Sequence, residues 1–91
     1  MKKRVHAVVS GEVQGVGYRY KVYHAAGRHA VSGYVKNMPD GRVEVVAEGE
    51  EEALKAFIEA VRIQDGFVMV TGVETNYSTA TGEFEGFSIR R

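Results

Sequence analysis

The first pattern along the chain is an alternation of apolar and polar residues. In the stretch RVHAVVS, Val5, Ala7 and Val9 fall on one side, whereas His6 and Ser10 fall on the other. Successive side chains of a strand point to opposite faces of a sheet. The alternation therefore predicts a first β-strand with one buried face.

A helical period appears after a glycine-containing loop. Within YRYKVYHAAGRHA, the apolar residues Val22, Ala25 and Ala26 share one side at helical spacing, which predicts a first helix. Two alternatives remain for its C-terminal end. The helix ends early at Gly27, or it continues and Ala30 takes a left-handed backbone conformation that costs about 1 kcal/mol.

A β-hairpin is predicted in the middle of the chain. The stretches VSGYVKN and RVEVVAE have strand character and are joined by MPDG. Pro39 and Asp40 suit the central positions of a type I turn, and Gly41 tolerates a positive φ. In the second strand, Val43 and Val45 alternate with charged residues, which predicts one buried face and one mostly solvated face.

The stretch GEEEALKAFIEAVRI has the clearest helical period of the chain. Leu54, Phe57, Ile58 and Val61 form one apolar stripe, as expected for a helix that covers a core. The glutamates at positions 50–52 suit its first turn, where the helix dipole favours negative charge. A second helix is therefore predicted here.

Two further strands are predicted toward the C-terminus. They are FVMVTGVETNY, with Gly72 as a bulge, and GFSIRR, in which Phe87 and Ile89 point to one side. The order β-α-β-β-α-β predicts an α+β protein, a ferredoxin-like sandwich with two helices on one face of an antiparallel sheet. The length of 91 residues suits one domain.

Composition narrows the classes of function. The chain has 12 basic and 12 acidic residues, and this balance argues against a protein that mainly coats nucleic acid or an anionic membrane. It has no cysteine, which excludes disulfides and thiolate metal sites. No apolar run approaches the roughly 20 residues of a membrane span. We therefore expect a cytoplasmic protein without nucleic-acid or membrane partners.

The loop SGEVQGVGYRY carries the candidate chemistry. Gly15 and Gly17 leave the backbone open near the predicted start of the first helix, and Arg19 follows. Backbone N–H groups at a helix N-terminus attract phosphate, and an arginine adds bidentate contacts. The pattern matches neither the Walker nor the dinucleotide motif. From these residues alone, an anion site and a tight corner with a solvated arginine both remain open.

The full string resembles the signature of a known family. GEVQGVGYR is similar to the G-x-V-Q-G-V-x-F-R block of the acylphosphatases, and GYVKNMPDGRVEVVAEG resembles their second block, G-W-V-x-N-x-x-D-G-x-V-E-V. The resemblance extends from Val5 to Arg90. It implies the ferredoxin-like fold, a single acylphosphatase-like domain over residues 1–91, and hydrolysis of acyl phosphates to a carboxylate and inorganic phosphate.

The resemblance also implies the roles of individual residues. Arg19 would hold the phosphate, and Asn37 would place the attacking water. Backbone N–H groups would complete the phosphate cradle, namely those of Gln14, Gly15, Val16, Gly17, Tyr18 and Arg19. A loose phosphoryl transfer with a carboxylate leaving group needs neither a metal nor a cofactor. We expect a monomer whose partners are small acyl phosphates, with phosphate or other anions at the loop.

Two departures from the family pattern and one rival function are noted. Glu12 stands where the family usually has a basic residue, and it weakens phosphate binding only if it faces the cradle. The glycine that usually closes the first helix is replaced by Ala30. The rival function is a binding module on the same fold that senses acyl phosphates without hydrolysing them.

Overall fold

Six strands form one curled sheet, and two helices pack on one of its faces. The computed structural model describes residues 1–91. The elements are β1 (Lys2–Glu12), α1 (Tyr18–Arg28), β2 (Ser32–Asn37), β3 (Val43–Glu50), α2 (Glu51–Ala60), β4 (Gln64–Asp65), β5 (Val68–Thr79) and β6 (Phe87–Arg90). The predicted α+β ferredoxin-like sandwich is therefore confirmed. Neither helix is long and apolar enough to cross a bilayer.

The sheet is mixed, and it differs from the predicted antiparallel sheet in one pair of strands. The strand order is β4-β5-β1-β3-β2-β6, and β6 pairs with β2 in parallel, from Gly33 opposite Phe87 to Lys36 opposite Arg90. After β5, residues 80–86 lead the chain to the far edge of the sheet. Because β1, β2 and β6 run in the same direction, their C-terminal ends lie at the same end of the sheet.

Two further details concern β5, one of them predicted and the other not. The short β4 forms a hairpin with β5, an element that the sequence did not predict. The bulge predicted at Gly72 is confirmed, because Ser10 pairs with Gly72 and Gly11 pairs with Val70, which leaves Thr71 as an extra residue on β5.

The core lies between the sheet and the helices. The β1 residues Val5, Ala7 and Val9 are fully buried, as their alternation predicted. The two helices contribute the other half of the core, with Val22, Ala25 and Ala26 from α1 and Leu54, Phe57 and Ile58 from α2. Burial of each of the large apolar side chains contributes roughly 1.5–3 kcal/mol of transfer free energy.

The end of α1 resolves the two alternatives left by the sequence. The helix passes through Gly27 and ends at Arg28, and Ala30 takes a positive φ of 55°. The backbone N–H of Val31 donates to the carbonyl oxygen of Ala26 at 3.2 Å, which is the closing bond of a Schellman motif. Ala30 therefore occupies the position that favours glycine.

We predict that Ala30→Gly stabilises the protein by up to about 1 kcal/mol, because glycine removes the left-handed strain but adds entropy to the unfolded chain. The control is Ala56→Gly on the exposed side of α2, which should destabilise by about 1 kcal/mol. Urea unfolding measures both free energies. A loss of stability in Ala30→Gly equal to that of the control would contradict the prediction.

The face of the sheet opposite the helices is less solvated than predicted. Val46 and Glu48 of β3 are only 4% and 5% exposed. The covering segment is 80–86, whose Phe84 packs edge-on against Tyr34 with ring centroids 5.9 Å apart. The prediction that this face of β3 is mostly wet was therefore wrong, because alternation along one strand does not show which loop crosses it.

The Glu48 carboxylate fastens this covering segment. It accepts hydrogen bonds from the Thr81 N–H at 2.9 Å, the Gly82 N–H at 2.9 Å, the Thr81 hydroxyl at 3.0 Å and the Arg4 Nε at 2.8 Å. Burial disfavours the charged carboxylate, but these hydrogen bonds outweigh it and hold the pKa of Glu48 at about 2. The bonds thereby fix the path of the chain into β6.

Because its pKa is lowered in the folded state, the contribution of Glu48 to the free energy of unfolding depends on pH in the acidic range. Because the folded state favours the carboxylate, Glu48 stabilises the fold above the unfolded pKa near 4.5. That contribution is lost as the pH falls toward about 2. We predict that Glu48→Gln lowers the free energy of unfolding at pH 7 and flattens its fall over this window, measured by urea unfolding. The exposed Glu52→Gln serves as control, and an unchanged pH dependence in Glu48→Gln would refute the assignment.

Candidate active site

The loop between β1 and α1 adopts the open conformation that its glycines predicted. Gly15 and Gly17 have φ values of 75° and 81°, in the left-handed region that favours glycine. A Cβ atom added to either residue would meet no other atom within 4 Å. Glycine is therefore required here by the backbone conformation, and the space beside the backbone stays open to a ligand.

The N–H groups of this loop are unpaired within the protein. Those of residues 14–17 donate to no backbone or side-chain acceptor, and the first helical turn leaves its own N–H groups free until Lys21, which donates to the Gly17 carbonyl oxygen at 3.3 Å. No acidic residue stands in the first turn of α1, whereas Glu51 and Glu52 occupy the first turn of α2. The loop thus presents a run of uncompensated donors and a positive helix end.

Arg19 lies in the first turn of α1 and is held by β6. Its Nη1 donates to the carbonyl oxygen of Arg90 at 2.9 Å. The guanidinium of Arg90 in turn stacks on the Tyr34 ring, 3.9 Å from the centroid, at a distance typical of a cation–π contact. One side of the Arg19 guanidinium is therefore fixed, and its remaining N–H groups are available to an anion.

An open cleft of about 400 Å³ joins the loop to Arg19. Its lining combines cations, glycines and apolar side chains, and consists of Val13, Gly15, Gly17, Tyr18, Arg19, Tyr20, Ile89 and Arg91. Sequence reasoning did not single out Tyr20, Ile89 or Arg91 for this cleft. Their contribution depends on the packing of α1 beside β6, which local patterns do not reveal.

Asn37 is the last residue of β2 and lies at the same end of the sheet as the C-terminus of β1. It pairs with Val43 and is half-buried, and its Oδ1 is a buried side-chain oxygen without a hydrogen-bond partner in the protein. A buried acceptor without a partner costs free energy unless a water or ligand satisfies it. Asn37 is not among the residues that line the Arg19 cleft, but the turn that follows it contacts the loop.

The side chain of Gln14 makes that contact. Its Nε2 donates to the carbonyl oxygen of Met38 at 2.8 Å and to that of Arg42 at 2.9 Å. The sequence predicted only a backbone role for Gln14 in the cradle. The structure adds a side-chain link between the cradle and the turn that follows Asn37.

Tyr18 and Val16 anchor the cradle to the core of the protein. The Tyr18 ring is 1% exposed, and its hydroxyl donates to the carbonyl oxygen of Val61 at 2.8 Å. Burial raises the pKa of this hydroxyl, which therefore stays protonated. Val16 packs against the core. These contacts tie the start of α1 to the end of α2.

Glu12 and the histidines lie apart from this arrangement. The Glu12 side chain is exposed at the end of β1 and does not line the cleft. His6 contacts Glu44 on the outer face at 2.9 Å, and His24 packs against the rings of Tyr20 and Tyr23. No three His, Cys, Asp or Glu side chains group closely enough to hold a metal ion.

Comparisons with known proteins agree on one family. The acylphosphatase family profile matches residues 5–89. The chain is 52% identical over 84 residues to the acylphosphatase of Bacillus velezensis, covering 92% of this chain and 93% of that protein. It is 43% identical over 89 residues to the acylphosphatase of Methylococcus capsulatus, covering 98% and 97%. The crystal structure of acylphosphatase from Bacillus subtilis superposes with a TM-score of 0.92 at 42% identity, covering 98% of this chain and 99% of that chain.

Proposed function

Because the chain belongs to the acylphosphatase family and hydrolyses acyl phosphates, we propose that it does so by direct attack of water on phosphorus. The water oxygen forms a bond to phosphorus, and the bond between phosphorus and the acyl oxygen breaks. The products are a carboxylate and inorganic phosphate, which keeps the hydrogens of the water until one ionises according to the pH. Three groups carry out this step: the backbone cradle of residues 14–19, Arg19 and Asn37.

The leaving group explains why so few side chains are needed. The acid of the departing carboxylate has a pKa of about 4, as for a glutamate side chain, so it leaves without being protonated. The transition state is loose and spreads charge over the equatorial phosphoryl oxygens. Catalysis then consists of positioning and electrostatic stabilisation.

The unpaired N–H groups of residues 14–17 are the observation that carries the proposal. These residues precede α1, and Gly15, Gly17 and Arg19 line one cleft. The Arg19 guanidinium is already oriented by the Arg90 carbonyl oxygen. Donors that are fixed before the substrate arrives cost no reorganisation in the transition state. This cradle and Arg19 together would bind the phosphoryl group and its developing charge.

Asn37 would position the water. Its buried Oδ1 lacks a partner in the protein and can accept a hydrogen bond from water, while its amide N–H groups can donate another. A neutral amide is a weak base, but a loose transition state asks for little proton removal in the attack. The proposed role is therefore orientation of the water.

A hydrolysis assay tests the proposal against the rival binding module. Purified protein with acetyl phosphate or benzoyl phosphate should release inorganic phosphate, and Arg19→Ala should abolish that release. Phosphate binding without turnover by the native chain would favour a sensor.

The single-domain organisation of residues 1–91, the monomeric state and the cytoplasmic location remain predictions. Light scattering on the purified chain tests the oligomeric state.

A further inference from the structure

We propose that the side chain of Gln14 is a positioning residue that holds the phosphate cradle in register with Asn37. The inference rests on the proposed function, because the effect of Gln14 passes through the water that Asn37 orients. It concerns the side chain alone, since the backbone N–H of Gln14 already belongs to the cradle.

The Gln14 side chain binds the turn of residues 38–42, which is closed by its own backbone hydrogen bonds. The Met38 N–H donates to the Arg42 carbonyl oxygen at 2.8 Å, and the Gly41 N–H donates to the Met38 carbonyl oxygen at 3.2 Å. The Gln14 Nε2 donates to these same two carbonyl oxygens, at 2.8 Å and 2.9 Å. Both amide hydrogens are therefore used, and their acceptors belong to a turn of fixed geometry.

The two carbonyl oxygens that accept from Gln14 belong to residues next to Asn37 and next to its strand partner. Met38 follows Asn37 in the chain, and Arg42 precedes Val43, which is the strand partner of Asn37. The Gln14 amide therefore reaches the last paired rung of the hairpin on both strands. Any movement of the loop relative to this rung would move the bound phosphorus relative to the water.

No other hydrogen bond provides this connection. The strands that end in the cradle and in Asn37 are β1 and β2, and β3 lies between them, so no backbone ladder joins them directly. Apart from the Gln14 bonds, the hydrogen bonds of residues 13–17 amount to the one that the Gly17 carbonyl oxygen accepts from Lys21. Gly15 and Gly17 both have positive φ, and the Gln14 amide supplies the hydrogen bonds between this loop and the hairpin turn.

The expected effect is on turnover more than on binding. Misplacement of reacting atoms by about 1 Å can cost on the order of 100-fold in rate. Gln14→Met keeps the length of the side chain and removes both donors. We expect kcat for benzoyl phosphate to fall by about 30-fold, within that range. The inhibition constant of inorganic phosphate should change less than about threefold, because the cradle N–H groups and Arg19 keep their arrangement relative to one another.

A double-mutant cycle tests the mechanism of this effect. Gln14→Met is measured in the native chain and in Asn37→Ala, where the water is no longer oriented. We expect the 30-fold loss in the native chain to shrink to less than about threefold in the Asn37→Ala background, since coupled residues are not additive. Equal losses in both backgrounds, or no loss in the native chain, would overturn the proposal.

Three measurements keep the outcome interpretable. Gln64→Met, at an exposed glutamine of β4, should leave kcat and KM unchanged. Circular dichroism and urea unfolding report whether Gln14→Met folds, and the likewise uncharged Gln14→Leu replaces it in the same cycle if it does not. Near-normal turnover in Asn37→Ala alone would refute the proposed water role, an outcome distinct from additivity in the cycle.

Discussion

Replacement of Asn37 by alanine should lower kcat by about 100-fold or more while phosphate binding stays nearly intact. The side chain lies at the end of β2 and is not among the residues that line the cleft beside Arg19, so its removal should leave the cradle in place. What is lost is the orientation of the attacking water, and loss of one positioned group at a reacting centre costs on the order of 100- to 1,000-fold.

The measurement combines steady-state turnover of benzoyl phosphate with inhibition by inorganic phosphate. The inhibition constant should change less than about threefold, which would separate the water role from phosphate binding. Asn76→Ala, at an exposed asparagine of β5, is the matched control and should behave as the native chain. Equal losses in turnover and phosphate affinity in Asn37→Ala would place Asn37 in the phosphate site.

Replacement of Arg19 by alanine should impair both binding and turnover. Arg19 is the cation at the N-terminus of α1, and its Nη1 is anchored to the Arg90 carbonyl oxygen at 2.9 Å. A charge fixed in this way acts on the phosphate in the ground state and on its developing charge in the transition state. We expect kcat/KM to fall by about 1,000-fold or more, and phosphate inhibition to weaken by at least about tenfold.

Two variants make this prediction specific. Arg28→Ala removes an exposed arginine from the last turn of the same helix and should leave both constants unchanged. Arg19→Lys keeps the charge but cannot make the paired N–H contacts of a guanidinium, so it should recover phosphate binding more than kcat. Full activity in Arg19→Ala would exclude Arg19 from the site.

Local patterns in the sequence predict much of this fold because the strands and helices are short and strongly patterned. The buried side of β1, with Val5, Ala7 and Val9, and the stripe of α2 follow directly from their periods. The turn at Pro39 and Asp40 follows from backbone preferences. These elements agree with their local propensities, which is why they were predictable without the tertiary structure.

Features that depend on distant parts of the chain were not predictable. The parallel pairing of β6 and the burial of Glu48 both depend on segment 80–86, which crosses the outer face with no period of its own. The positive φ of Ala30 is a similar case, because two endings of α1 were compatible with the sequence. The hydrogen bond from the Val31 N–H to the Ala26 carbonyl oxygen accompanies the ending that the structure adopts.

The candidate site likewise combines residues that the sequence pointed to with contacts that only the structure shows. From Gly15, Gly17 and Arg19 alone, an anion site and a tight corner both remained open, and the family resemblance favoured the anion site and added Asn37. The contacts that connect Arg19 and the loop to distant segments are the hydrogen bond from Arg19 to the Arg90 carbonyl oxygen and the two bonds from the Gln14 amide to the hairpin turn. Both join segments far apart in the sequence, and both use main-chain oxygens, which no residue type reveals.

The stereochemical course of hydrolysis tests the central claim most directly. An acyl phosphorothioate whose two non-bridging oxygens are different isotopes in a defined configuration is hydrolysed in water labelled with the third oxygen isotope. Direct attack by water predicts inorganic thiophosphate with inverted configuration at phosphorus. Retention of configuration, which requires a covalent phosphoenzyme, or incorporation of the water oxygen into the carboxylate would contradict the account.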